Sequence, residues 1–195
     1  IGDRSFARAP EAVARHAVAF VQALQDAGVA GCAKHFPGHG GTVSDSHHEL
    51  PRLERDLERL RAVDLVPFEA TTRAGVASVM TAHILLPAID AERPCTLSPD
   101  AIGLLRDELA YDGLVFGDDL EMKAVADHFT PAELVTQALA AGVDGLLVCS
   151  RTDLREEVLA QLESLPDAAV EAGLRRMRAF KHSYSGGRRA SGAAP

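Results

Sequence analysis

Four short apolar runs separated by helix-patterned segments constrain the fold of this chain more than any other feature of its sequence. The runs span residues 29–33, 76–82, 113–116 and 145–149, lengths that suit strands rather than helices. Apolar residues recur at helical spacing over 10–27, over 52–74 in two pieces broken near Pro67, and over 98–109 and 131–141. Two more helical stretches follow at 153–162 and 166–180. Start and stop signals agree with these bounds. Pro10 opens a helix and Gly28 follows its end, while Ser98 and Pro99 read as an N-cap and a first helical residue. Continuous apolar strands alternating with helices predict a parallel α/β sheet covered on both faces. An open doubly wound sheet would carry the phosphate-binding pattern G-x-G-x-x-G after its first strand, and that pattern is absent. The polar residues lie instead directly after the strands, at the rim where a (β/α)8 barrel keeps its chemistry.

A chain of 195 residues can bury a core without disulfide or metal staples. Its 28 acidic against 20 basic residues, a net charge of -8, argue against a nucleic-acid binder. No stretch approaches the roughly 18 apolar residues that a membrane-spanning helix requires. Cys32, Cys95 and Cys149 are odd in number and widely spaced, which suggests reduced thiols in a cytoplasmic setting rather than a disulfide framework. No linker divides the chain. Residues 183–195, rich in Ser, Gly, Ala and Arg, are expected to form a disordered tail behind a single domain over 1–182. The chain opens at Ile1 with no lead-in to its first motif, and a whole barrel typically has about 250 residues, so a larger parent protein is expected.

Four of the eight histidines, His35, His39, His47 and His48, fall within fourteen residues. An even spread would place about 0.6 there. The glycines of this segment let the backbone approach a ligand, and Pro37 restricts a turn. Asp45 and His47, two apart in an extended loop, project to one side. The carboxylate can then fix the imidazole tautomer and raise its basicity, as an acid/base pair requires. A metal site built from His35, His39, Asp45, His47 and His48 is the competing reading, although its spacing fits neither H-E-x-x-H nor a Cys/His zinc pattern. Asp118 and Asp119 directly follow an apolar strand. One of them is placed to attack or stabilise a cationic centre and the other to serve structure; taken without context, an N-capping role is the plain alternative. His83, after the second strand, reads equally as a buried partner or as a ligand-facing group. His16, His128 and His182 read as surface or helix-packing residues, and Arg52 to Arg61 as a solvated helix face.

These motifs resemble bacterial β-N-acetylglucosaminidases of glycoside hydrolase family 3. The resemblance is carried by Lys34-His35-Phe36-Pro37-Gly38-His39-Gly40, Thr42 and Asp45-Ser46-His47. It continues through Val79 to His83, Thr96-Leu97-Ser98, Leu105-Arg106 and Gly113 to Met122, and includes Gly2 to Phe6 at the start. It implies the C-terminal half of a TIM-type (β/α)8 barrel, four parallel strands with helices, from a retaining hydrolase that needs no cofactor. The implied substrate is terminal β-linked N-acetylglucosamine in peptidoglycan-derived muropeptides. Asp118 is the implied nucleophile and His47, paired with Asp45, the implied acid/base. Arg4, Lys34 and His35 are the implied sugar-binding residues, and no metal is implied.

Two departures stand out: Gly41 where the family commonly has Asp, and Gly117 where it commonly has Ser. The resemblance also implies a partner, the N-terminal half of the barrel, which contributes an Asp that holds the sugar. An inactive fragment and a metal-dependent hydrolase remain as alternatives. Activity of the chain alone would exclude the first, and indifference to chelators the second.

Overall fold

The computed structural model describes residues 4–41 and 50–185. Helix α1 (Pro10–Asp26) leads into strand β1 (Cys32–Phe36). Helix α2 (Leu57–Arg59), a π-helical turn (Leu60–Asp64) and α3 (Val66–Arg73) connect it to β2 (Ser78–Thr81). A 3-10 turn (Cys95–Leu97), α4 (Pro99–Gly103) and a second π-helical turn (Leu104–Glu108) precede β3 (Leu114–Asp119). The chain then runs through α5 (Lys123–Ala126), α6 (Pro131–Ala141), β4 (Gly145–Leu147), α7 (Thr152–Ser164) and α8 (Asp167–Ser185).

The four strands pair in sequence order, β1-β2-β3-β4, and every pairing is parallel. This is the α/β arc expected for the C-terminal half of a (β/α)8 barrel. Helix starts follow the local chemistry. The Ser98 hydroxyl accepts from the Ala101 amide at 3.2 Å with Pro99 behind it. Thr130 and Glu133 form a reciprocal capping box, and Gly142 at φ 102° closes α6. The strand side chains Val79 and Val115 pack against Ile102, Leu105, Leu134, Val135 and Ala138, all buried. Phe36 closes the end of β1 edge-to-face on Phe68, with ring centroids 5.2 Å apart. Burial of each such side chain contributes about 1.5–3 kcal/mol.

Strands β2 (Ser78–Thr81) and β4 (Gly145–Leu147) are shorter than the runs at 76–82 and 145–149, β3 extends past 116 to Asp119, and three further bounds differ from the sequence expectation. Strand β1 begins at Cys32 rather than 29 and continues through Lys34 and His35, which the apolar run had assigned to the loop. Residues 52–56 are not helical: Arg52 forms a parallel bridge with Leu85, and the Leu53 amide donates to the Leu85 carbonyl at 2.9 Å. Burial of Leu53 holds this segment extended beside the chain that leaves β2. The last helix reaches Ser185, so 183–185 belong to α8 rather than to a tail. Residues 186–195 lie outside the described residues.

Candidate active site

The chemistry-bearing residues gather at the C-terminal ends of β1, β2 and β3. Both register irregularities of the sheet fall there, between Lys34 and Phe36 and between Phe116 and Asp119. Such irregularities re-aim the side chains they carry. The Lys34–His35 and Phe36–Pro37 peptide bonds are cis. Strand β3 runs through Asp118 and Asp119, so the two carboxylates ride on a strand end rather than on a loop or a helix start.

Asp118 and His35 face each other from these strand ends, His35 Nε2 lying 3.6 Å from Asp118 Oδ2. Their side chains are 18% and 10% exposed, so the carboxylate retains a path to solvent. The other carboxylate oxygen, Oδ1, accepts the Asp119 backbone N–H at 2.9 Å. Burial lowers the His35 pKa to about 4, against the attraction of Asp118 and with the like charges of Lys34, His39 and Arg4 acting in the same direction as burial. The imidazole is therefore neutral near pH 7. His39 meets the His35 ring edge-on, with centroids 6.1 Å apart. Arg4, Lys34 and Asp118, all singled out by sequence, thus each act electrostatically on His35. Asp45 and His47, the expected acid/base pair, lie outside the described residues, as does His48.

Asp119 takes the structural role. Its Oδ1 accepts the Glu121 N–H at 3.1 Å, and its carboxylate bonds the Cys149 thiol, an interaction that raises the thiol pKa. Glu121 in turn accepts from the Ser150 and Arg151 amides at 2.5 and 2.7 Å. This ties the β3 rim to the start of α7.

His83 is fully buried and both ring nitrogens are engaged. Of its two sequence readings, the buried partner holds. Its Nε2 lies 3.1 Å from the Asp119 carbonyl oxygen and its Nδ1 lies 2.9 Å from Thr96 Oγ1. Thr96 Oγ1 also meets Thr81 Oγ1 at 2.8 Å and the Ala82 carbonyl at 3.1 Å. Sequence reasoning gave Thr81, Thr96, Glu121 and Cys149 no role. The threonines lie inside quoted motifs, but nothing in their type or spacing marks them as a network.

The two departures have local counterparts. A Cβ at Gly117 would stand 3.2 Å from Thr96 Cγ2, so a larger residue there presses on the partner of His83. A Cβ at Gly41 would stand 2.5 Å from a guanidinium nitrogen of Arg55, which pairs with Asp64 at 2.8 Å. Gly38, at φ 135°, packs its Cα where a Cβ would lie 2.8 Å from the Asp64 Cβ. Within the alternative metal-ligand set only His35 and His39 are described. Among the described residues no three His, Cys, Asp or Glu side chains converge.

A different ionic group occupies the N-terminal end of the strands. Asp144, 2% exposed, receives Arg106 at 2.7 Å, Arg176 at 3.0 Å and the Val115 N–H at 2.9 Å. Arg106 also donates to the Tyr111 and Gly113 carbonyls at 3.0 and 2.6 Å. In a barrel that end serves stability, not chemistry.

The geometry agrees with what the chain resembles. Residues 1–180 match the glycosyl hydrolase family 3 N terminal domain. A beta-hexosaminidase of Methylococcus capsulatus is 44% identical over 165 residues, 84% of this chain and 49% of that protein. One from Thiobacillus denitrificans is 43% identical over 178 residues, 91% of this chain and 49% of that protein. A solved glycoside hydrolase family 3 beta-N-acetylglucosaminidase from Paenibacillus sp. superposes with a TM-score of 0.90 at 40% identity, covering 98% of this chain and 38% of that one. The chain spans about half the length of the curated relatives it matches. By sequence match and by fold alike, it belongs to glycosyl hydrolase family 3.

Proposed function

We propose that this chain supplies the nucleophile and acid/base half of a retaining β-N-acetylhexosaminidase that removes terminal β-linked N-acetylglucosamine from peptidoglycan-derived muropeptides. The observation that carries the proposal is the Asp118 carboxylate at the end of β3, partly open to solvent and set 3.6 Å from a neutral imidazole of β1. The names of the relatives, beta-hexosaminidase and beta-N-acetylglucosaminidase, support the sugar class.

In the first step an Asp118 oxygen attacks the anomeric carbon. The bond to the leaving oxygen breaks, and that oxygen takes its electron pair together with a proton from His47. In the second step His47 removes a proton from water, the water oxygen attacks the same carbon, and the bond to Asp118 breaks to restore the carboxylate. Retaining glycosidases generally use two carboxylates about 5–5.5 Å apart. A histidine in place of one avoids two anions in one pocket, and Asp45 stabilises the imidazolium as it forms. Arg4, Lys34 and His35 hold the sugar. Written this way, the reaction needs no metal or organic cofactor. The three free thiols support a cytoplasmic setting.

His47→Ala tests the acid role. Substrates with poor leaving groups should lose far more turnover than activated aryl glycosides, and equal losses would exclude general acid catalysis by His47.

A second reading, an arc that is inactive until its N-terminal barrel half joins it, is favoured by the sheet edges and the surface. Strands β1 and β4 each pair with one strand only among the described residues. Among the described residues the exposed large apolar side chains are Phe6, Phe20 and Val29, which precede β1 in the chain, and Leu159 and Leu174, which follow β4. Both features fit closure by four further βα units. Hydrolysis of an aryl N-acetylglucosaminide only when the N-terminal half is supplied would establish this reading, and hydrolysis by the chain alone would remove it.

A further inference from the structure

We infer that His83 is a positioning residue for the nucleophile: through the Asp119 carbonyl it fixes the end of β3 from which Asp118 projects. The inference rests on Asp118 being the nucleophile.

The hydrogen-bond partners dictate the state of the ring. A carbonyl oxygen only accepts, so His83 Nε2, 3.1 Å from the Asp119 oxygen, carries a hydrogen. Complete burial lowers the His83 pKa against the attraction of Asp118, which favours the neutral ring. In that ring Nδ1 is an acceptor, so the single Thr96 hydrogen is shared between Nδ1 at 2.9 Å and the Ala82 carbonyl at 3.1 Å, the ring nitrogen being the shorter contact, and the Thr81 hydroxyl donates to Thr96 across 2.8 Å. Every member of this chain of donors is buried, so its direction is not rewritten by solvent.

The effect reaches Asp118 chiefly through Asp119, and the Asp118 backbone also acts on the His83 ring. Asp119 is held at five points: its carbonyl by His83 and, from its own turn, by the Met122 amide at 3.1 Å, its Oδ1 by the Glu121 amide, its carboxylate by the Cys149 thiol, and its own N–H by Asp118 Oδ1. The last bond, 2.9 Å long, ties the rotation of the attacking carboxylate to the placement of Asp119. Of the two bonds that cross from other strand ends, the one from His83 comes from the buried side. His83 touches no solvent, and so it acts only through what it holds.

The test compares two substitutions in the full-length enzyme. In His83→Gln the amide nitrogen can occupy the place of Nε2 and keep the donor to Asp119, whereas in His83→Asn the shorter amide reaches toward Thr96 alone. A displaced nucleophile lowers kcat by about 10–100-fold with KM little changed, since small misplacements near reacting atoms have effects of this order. His83→Asn should show that loss and His83→Gln should recover most of it. Equal losses in both, or a loss confined to KM, would overturn the inference. Imidazole 15N spectra of the wild-type enzyme provide a readout that needs no turnover and no variant. His83 should show a protonated Nε2 and a bare Nδ1, and the opposite tautomer would overturn the inference even where a variant fails to fold. Absence of wild-type hydrolysis would sink the hydrolase reading instead, leaving the tautomer to be decided on its own.

Discussion

The two ends of the parallel sheet hold charge in opposite ways. At the N-terminal end Asp144 is buried and fully answered, with two guanidinium groups and a backbone amide within 3.0 Å. At the C-terminal end Asp118 is half-buried and, among the described residues, under-answered: its Oδ2 faces an imidazole that burial keeps neutral, 3.6 Å away. A buried carboxylate with matched cations fixes a fold, since removing either partner strands the other charge. A carboxylate with one oxygen uncommitted keeps its electron pair for a reaction. With Asp118 as the proposed nucleophile, one sheet separates stability from chemistry by where it places the partners of its aspartates.

The largest way to break this comparison is at Asp118. Asp118→Asn should lower turnover by ~10³-fold or more, as loss of a nucleophile does, while shifting stability by no more than about 0.5 kcal/mol. Steady-state kinetics and urea denaturation on the same preparation would check both halves, and a large stability loss would erase the contrast. Next comes Asp144→Ala, which should cost about 3–5 kcal/mol because Arg106 and Arg176 lose their shared acceptor. Its signature is a lowered denaturation midpoint, with kcat per folded molecule preserved.

The pH dependence is a smaller effect. His35 titrates near 4 in the fold against 6.5 when exposed, so between these values the unfolded chain binds a proton that the folded chain refuses. Stability is therefore full above pH 6.5 and declines as the pH falls toward 4; buried His83 adds in the same sense. His35→Asn should flatten part of that slope in denaturation curves collected across the range. Smallest is Arg176→Met, at about 1 kcal/mol, because Asp144 keeps Arg106 and the Val115 amide. A cost equal to that of Asp144→Ala would mean that the two arginines act as one unit.

The same contrast explains which parts of the molecule were legible in its sequence. The helix ends at Pro10, Gly28 and Ser98-Pro99 follow from capping chemistry, which is local. The strands were read as apolar runs, and β1 and β3 outlast theirs, whereas β2 ends within its run. β1 continues through Lys34 and His35, and β3 through Asp118 and Asp119, because a polar residue at the end of a barrel strand faces the site rather than the core. The reading of strands from hydrophobicity stops where the chemistry starts. Asp118, His35 and Lys34 were legible because they sit in a dense motif. Arg106 and Asp144, 38 residues apart, were not, since only the fold brings them to 2.7 Å. The network of Thr81, Thr96 and His83 was hidden for the same reason. Its members lie on β2, in a turn and between them, and it reaches β3 only where His83 meets the Asp119 carbonyl.

The central claim, that the under-answered carboxylate is the one that reacts, is tested most directly by trapping it. The full-length enzyme, incubated with a slow fluorinated N-acetylglucosaminide, digested and examined by mass spectrometry, should gain one glycosyl mass on the peptide that contains Asp118, with fragmentation placing it on that residue. A label on Asp119, or no labelled peptide while substrate is being turned over, would contradict the account.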